Sequence, residues 1–258
     1  MILRLRNILF SGFVLPVYSF LYSTDSAHSL PFEFAVSHIT GSAHLVIKTD
    51  PPLTKALQVG TNIEASTVYS VVTGKGSYVE LSPLKGSNHT LHAPLIRMGN
   101  KTALEFRSNQ HLFIFQGTAL LCHPQISLKI QSSECVFELH GKGTWMLEKT
   151  PIGFKLVILE GQLSIGENDS PPLPPGSLSL ISGKEGQKSQ PIDIELPLLL
   201  GTSRLLNQFP GFLPSKAKIS SAALVQSMKV TTKYDALIGN VAADRKLQIW
   251  SIGENEKK

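Results

Sequence analysis

The chain has 258 residues, 42% hydrophobic and 17% charged, which is enough apolar material for one large or two small domains and argues against broad disorder. Its two cysteines exclude a disulfide-dense scaffold and a four-cysteine zinc site, and 7% aromatic residues are thin for stacking single-stranded nucleic acid. The net charge of +5 is uneven: residues 29–201 carry 13 Lys/Arg against 14 Asp/Glu and residues 202–258 carry 9 against 4, so the body lacks the basic stripe that nucleic-acid binding needs.

Residues 1–29 read as a signal peptide. Arg4 and Arg6 precede an uncharged run, Ile8–Tyr22, and small polar residues follow from Ser23 to Ser29. Ala27 and Ser29 suit cleavage before Leu30, with Thr24-Asp25-Ser26 as a second option. An uncleaved, tilted anchor is the other reading; the run is shorter than the roughly 20 residues that span a bilayer, and Pro16 interrupts it. The expected location is periplasmic or extracellular.

Residues 30–182 read as an all-β domain. The strand candidates are Phe34–Ile39, Ala43–Lys48, Thr67–Thr73, Tyr78–Leu81, Ala103–Arg107, Leu112–Phe115, Ile126–Ile130, Cys135–Leu139, Thr144–Leu147, Phe154–Leu159, Gln162–Ile165 and Leu178–Ile181. Ile126, Leu128 and Ile130 alternate with Ser127 and Lys129, as a half-buried strand requires. Phe154–Leu159 is apolar on both faces apart from Lys155, so it reads as a central strand with Lys155 exposed and Glu160-Gly161 as the turn into the next strand. Glycine and proline clusters, including Gly141-Lys142-Gly143 and Pro174-Pro175-Gly176, punctuate the runs. Many short strands so spaced predict an antiparallel-rich sandwich, roll or β-helix-like domain.

Residues 183–258 read as a C-terminal extension, weakly structured and partly disordered. Ile192–Leu200 suits one more strand or a short helix, Ser203–Asn207 a single helical turn and Leu247–Ile252 a terminal strand. Lys216–Lys233 holds four lysines and no acid, with Ser221, Leu224, Val225 and Met228 at helical spacing. A mobile solvated tail or a membrane-surface helix would each fit that pattern.

Enzyme motifs do not assemble, and no cofactor, metal site or catalytic residue is expected. There is no HExxH, GxSxG or HxH. Gly176–Glu185 lacks the hydroxyl and spacing of a phosphate loop, and Gly141-Lys142-Gly143 lacks the third glycine of a dinucleotide loop. His89 and His92 would share one face of a helix but not of a strand, and His38, His44, His111, His123 and His140 are scattered. Asn88, Asn100 and Asn168 open glycosylation sequons that matter only in a eukaryotic secretory pathway. Cys122 and Cys135 could close a disulfide outside the cytoplasm, worth about 3 kcal/mol for a loop of that length, or remain two buried thiols.

Gly143–Leu147, followed by Phe154–Ile165, is similar to the glycine-threonine strand and hairpin of the FecR domain, with Pro175-Gly176 where that family often has a glycine. Leu57–Thr61 and Phe115–Leu121 are similar to its earlier strand-and-glycine units. The likeness spans His38 to Ile181 and implies an extracytoplasmic, non-enzymatic domain of bacterial surface signalling, with no catalytic residues to carry over. Family regulators carry a sigma-factor-binding segment before a membrane helix; only seven residues precede the apolar run here, so a stand-alone exported module is expected, without a direct anti-sigma role. The chain after residue 182 also differs from the family's receptor-contacting end. The expected partner is an envelope protein or glycan. Two other readings are a cupin-like β-barrel enzyme and a purely architectural envelope protein.

Overall fold

The strand-rich pattern folds as a single sheet that bends back over its own core. The computed structural model describes residues 33–64, 69–84, 94–166, 171–228, 236–239 and 248–251. Residues 1–29, read above as a signal peptide, the His89/His92 pair and the sequons at Asn88 and Asn168 lie outside the described residues. The body runs through β1 (Glu33–Thr40), β2 (Ala43–Ile47), β3 (Leu53–Ala56), β4 (Asn62–Glu64), β5 (Tyr69–Thr73), β6 (Tyr78–Pro83), β7 (Leu95–Met98), β8 (Ala103–Ser108), β9 (His111–Gln116), β10 (Thr118–Gln131), β11 (Val136–Thr150), β12 (Gly153–Ile165) and β13 (Ser177–Ser182). The short β14 (Gln187–Lys188) and β15 (Ile192–Asp193) precede α1 (Leu196–Thr202), α2 (Arg204–Asn207) and α3 (Lys216–Met228), and β16 (Ala236–Gly239) pairs with β17 (Gln248–Ser251).

Three long strands, β10, β11 and β12, run through both halves of the sheet. The first halves of β10 and β12 and the second half of β11 are flanked by β7, β6, β1 and β4 on one side and by β13 on the other. The second half of β10 instead pairs in parallel with β9, and β8, β5, β2 and β3 continue outward from there. Strands that pass from one layer to the other through bends make the corner of an orthogonal packing. Phe34 of β1 stacks on Phe106 of β8 at 4.9 Å between ring centroids, and Phe137 of β11 meets Phe154 of β12 at 5.5 Å, so side chains from both halves share one inner core.

The bends fall where the registers shift and where glycines meet across strands. The β10–β11 register slips between His123 and Ile126, and the β11–β12 register slips at Thr144/Trp145. Gly143 (φ +149°) and Gly161 (φ +96°) face each other there. A Cβ on Gly143 would lie 2.3 Å from the Glu160 carbonyl oxygen, and one on Gly161 would lie 2.2 Å from that of Lys142. Glycine is required because the backbones approach more closely than a side chain allows.

The expected turn at Glu160-Gly161 is therefore corrected. Gln162–Ile165 continues β12, and the reversal occurs earlier, at Pro151-Ile152 between β11 and β12. A glycine beside an apolar run suits a bulge as well as a turn, and the cross-strand register selects the bulge here. The Cys135–Leu139 and Thr144–Leu147 candidates fuse into β11 in the same way.

The central-strand reading of Phe154–Leu159 holds. Phe154, Leu156 and Ile158 enter the inner core, whereas Val157 and Leu159 point to a second core on the opposite face. The helices lie on that face. Ile194, Leu196, Leu199, Leu205, Phe209 and Ile219 bury themselves against Leu120, Met146, Val157, Leu159 and Leu178. The boundary drawn at residue 182 is thus not a packing boundary: the chain as far as Met228 is a covering layer for the first half of the sheet. Ile192–Leu200, open to strand or helix by its residues, divides between the two: Ile192-Asp193 forms β15, and α1 starts at Leu196, where Pro197 suits the first helical turn.

Candidate binding face

The outer face of β8, β9 and the second half of β10 carries an ordered polar and aromatic row. Leu104 and Phe106 point inward, so Glu105 and Arg107 point outward by strand alternation. On β9, Leu112 and Ile114 point inward, which leaves His111, Phe113 and Phe115 on the outer side.

Glu105 is the anchor of this row. Its carboxylate is buried and lies between two cations: Lys48 Nζ pairs with Oε2, and Arg107 Nε lies 3.3 Å from Oε1. Arg107 also donates to Gln131 Oε1 at 3.2 Å and sits 4.1 Å above the Phe113 ring. His111 Nε2, in its protonated tautomer, donates to the same Gln131 oxygen at 2.8 Å. Burial holds the His111 imidazole below its usual pKa, and the cations Lys129 and Arg107 act in the same direction. Phe113 packs at 4.6 Å against Phe115, which remains 47% exposed. The row presents a fixed guanidinium, a fixed amide and an open aromatic face, groups suited to recognition by stacking and hydrogen bonding.

Beside it, a hollow of about 630 Å³ is lined by Lys129, Val136, Phe137, Glu138, His140 and the turn at Glu185-Gly186. His140 Nε2 lies 3.5 Å from Glu138 Oε2. The remaining scattered histidines go to separate strands: His38 to β1, beside Thr40 and Phe209; His44 to β2; His123 to β10. Among the described residues, no group of three His, Cys, Asp or Glu side chains gathers to hold a metal ion.

Under the helices, buried charge ties the covering layer to the sheet. Arg97 of β7 is fully buried and pairs with Glu80 of β6 at 2.7 Å. Its Nη1 donates to the Leu205 and Leu206 carbonyls at 3.0 and 3.3 Å, and its Nη2 donates to that of Gly211 at 2.8 Å. The guanidinium also lies 4.5 Å from the centre of the Phe209 ring. Ser37 Oγ donates to the second Glu80 oxygen at 2.7 Å. A second tie joins Thr144, Glu160 and Ser215. Thr144 Oγ1 lies 2.8 Å from Glu160 Oε1 and 2.5 Å from Ser215 Oγ, just before α3 begins. Sequence reasoning missed Glu80, Arg97, Glu105, Glu160 and Ser215, because each is an ordinary polar residue in an alternating run or a loop until its partner arrives from elsewhere in the chain.

Of the two states open to Cys122 and Cys135, the structure shows the free thiols and no disulfide. They lie on opposite faces of the sheet. Cys122 packs against the outer core, with its sulfur 3.6 Å from Ser215 Oγ, whereas Cys135 sits in the inner core. Burial pushes the Cys135 thiol pKa up. Two sulfurs on opposite sides of a sheet cannot meet the Cβ separation of about 3.5–4.5 Å that a disulfide requires. The Asn100 sequon is likewise built into the fold. Asn100 Oδ1 accepts from the Gly76 amide at 2.7 Å, and the buried Thr102 hydroxyl donates to the Thr118 carbonyl at 2.9 Å.

The chain matches no family model, no curated protein and no solved structure.

Proposed function

We propose that the chain is an exported, non-enzymatic binding and signalling module of the bacterial cell envelope, built on a FecR-like β domain. The resemblance rests on Gly143–Leu147 and Phe154–Ile165, the residues that form the bent β11–β12 pair, and on the leader-like residues 1–29. The observation that carries the reading is the surface row of Arg107, Gln131 and Phe115, with the buried Phe113 ring beneath Arg107. It is held rigid by the buried Glu105 on a face whose aromatic edge stays exposed. A preorganised surface of this kind loses little conformational entropy when an envelope protein or glycan settles on it.

The test replaces Phe115 with a photo-reactive amino acid in cells, with Ile152, 71% exposed in the β11–β12 turn, as the control position. Discrete adducts from position 115 that are absent from position 152 are expected. No adducts, or identical sets from both positions, would overturn the reading. Mass spectrometry of the native chain checks export: a mature start near Leu30 is expected, and intact Met1 in the soluble cytoplasmic fraction would refute it.

A further inference from the structure

We propose that the outward face of α3, with the loop before it, docks on an anionic lipid bilayer. The inference stands on the covering layer alone and is independent of the open face on the other half of the sheet.

The first observation is charge. Between Glu195 and Asp235 the chain has no acidic residue, while Arg204, Lys216, Lys218, Lys229 and Lys233 are cationic. A solvated surface normally mixes both signs, so an uninterrupted cationic stretch is complementary to anionic headgroups.

The second observation is where the apolar side chains point. α3 buries Ile219 and Ala223 against the sheet, and Gln226 on the same side bonds the Ile194 carbonyl and the Leu196 amide at 2.7 and 2.9 Å. At 100° per residue, the opposite side carries Ser221, Leu224, Val225 and Met228, with Lys218 on its flank. A helix lying on a soluble protein should be polar there. Instead Leu224, Val225 and Met228 are 62%, 58% and 73% exposed, and Phe212 in the preceding loop is 86% exposed. The stripe at Ser221, Leu224, Val225 and Met228 is therefore real, but it faces away from the core. Apolar residues flanked by lysines, whose stems can reach past them to the headgroups, suit the boundary between headgroups and acyl chains.

The test reads Met228 directly. The full chain is exposed to hydrogen peroxide in buffer, with phosphatidylcholine vesicles, and with phosphatidylcholine vesicles that also contain phosphatidylglycerol. Sulfoxide formation is then followed by mass spectrometry. Met98 and Met146, both fully buried, report on the integrity of the fold. Because the reading is taken at Met228, insertion of residues 8–22 does not by itself lower it. Fast oxidation is expected in buffer and on neutral vesicles, with a drop of about fivefold or more on the anionic ones. Replacing Lys216→Glu and Lys218→Glu together should restore fast oxidation, since each lysine near an anionic surface is worth about fivefold in binding. Equal rates on both kinds of vesicle would overturn the proposal. So would slow oxidation in buffer, because it would mean that another part of this chain covers the stripe. Loss of protection at Met98 and Met146 in the double variant would mark unfolding; the response of the wild-type chain to added salt then decides, with protection that survives high salt counting against the proposal.

Discussion

Truncating Arg97 would remove the cation from Glu80 and the donors from three backbone carbonyls at once. Breaking a buried pair costs about 3–5 kcal/mol, because the remaining charge stays in a medium that solvates it poorly. Arg97→Met should lose that much in denaturant unfolding. Adding Glu80→Gln should cost less than the sum of the two single changes, by at least about 1 kcal/mol. Lys155 shows how a partner changes the arithmetic at one position. As an exposed strand residue it would be worth at most about 0.5 kcal/mol. Its Nζ in fact lies 3.1 Å from Glu148 Oε2, and that carboxylate is 1% exposed. Lys155→Ala should therefore cost about 1–3 kcal/mol, against about 2–5 kcal/mol for Ile158→Ala in the inner core, both read from denaturant midpoints. Glu134 gives a pH dependence. Lys149 beside it, helped by Ser133, holds its carboxyl at about 2 against an ordinary 4.5. A lowered pKa contributes stability that is present above the unfolded value and lost as the carboxylate protonates. The stability difference between wild type and Glu134→Gln should be constant above pH 4.5 and shrink as the pH falls toward 2. A difference that stays flat through that range would show that the pair does not couple to folding.

At the scale of an element, the bend in β11 and β12 has the most stringent local requirement. Gly161 combines a left-handed φ with a cross-strand carbonyl 2.2 Å from where a Cβ would stand. Gly161→Ala must move backbone on one of two central strands. Its expected cost is more than about 1 kcal/mol, above what a change in unfolded-state entropy returns. Thermal unfolding of this variant beside Gly183→Ala separates the two effects. Gly183 also has positive φ (+76°), but nothing lies within 4 Å of where its Cβ would be. A similar loss at both positions would mean that the dihedral alone matters and that close approach of the strands does not.

At the scale of the whole molecule, the covering helices belong to the folded unit. Ending the chain at Ser182 would bare Leu120, Met146, Val157, Leu159 and Leu178. It would also remove the carbonyl partners of Arg97 and the Ser215 partner of Thr144. The shortened chain should be insoluble or should bind a hydrophobic dye strongly, and dye binding and gel filtration check this. A soluble, dye-silent 30–182 fragment would show that the β domain stands alone.

Much of the sheet was legible in the amino-acid order, because a strand buried on one face must alternate with period two and one buried on both must be apolar throughout. That is why Ile126–Ile130 and Phe154–Leu159 could be assigned to strands from their own residues. The four exposed residues of β3 carry no such pattern, the three of β4 alternate over too short a span to show one, and neither could be read. Which glycines reverse the chain and which only bend it was not legible, since both need the same missing Cβ and only the register of the neighbouring strand distinguishes them. Nor was the fate of the cysteines, because alternation says that a residue faces one side of a sheet without saying which of two cores lies there. The stripe of α3 was visible as a spacing, but spacing has no sign: it marks a face, and only packing decides whether that face meets the core or the solvent. Glu80, Arg97, Glu105 and Gln131 acquire their roles from partners up to 114 residues away, and contacts at that range exist only once the sheet has closed.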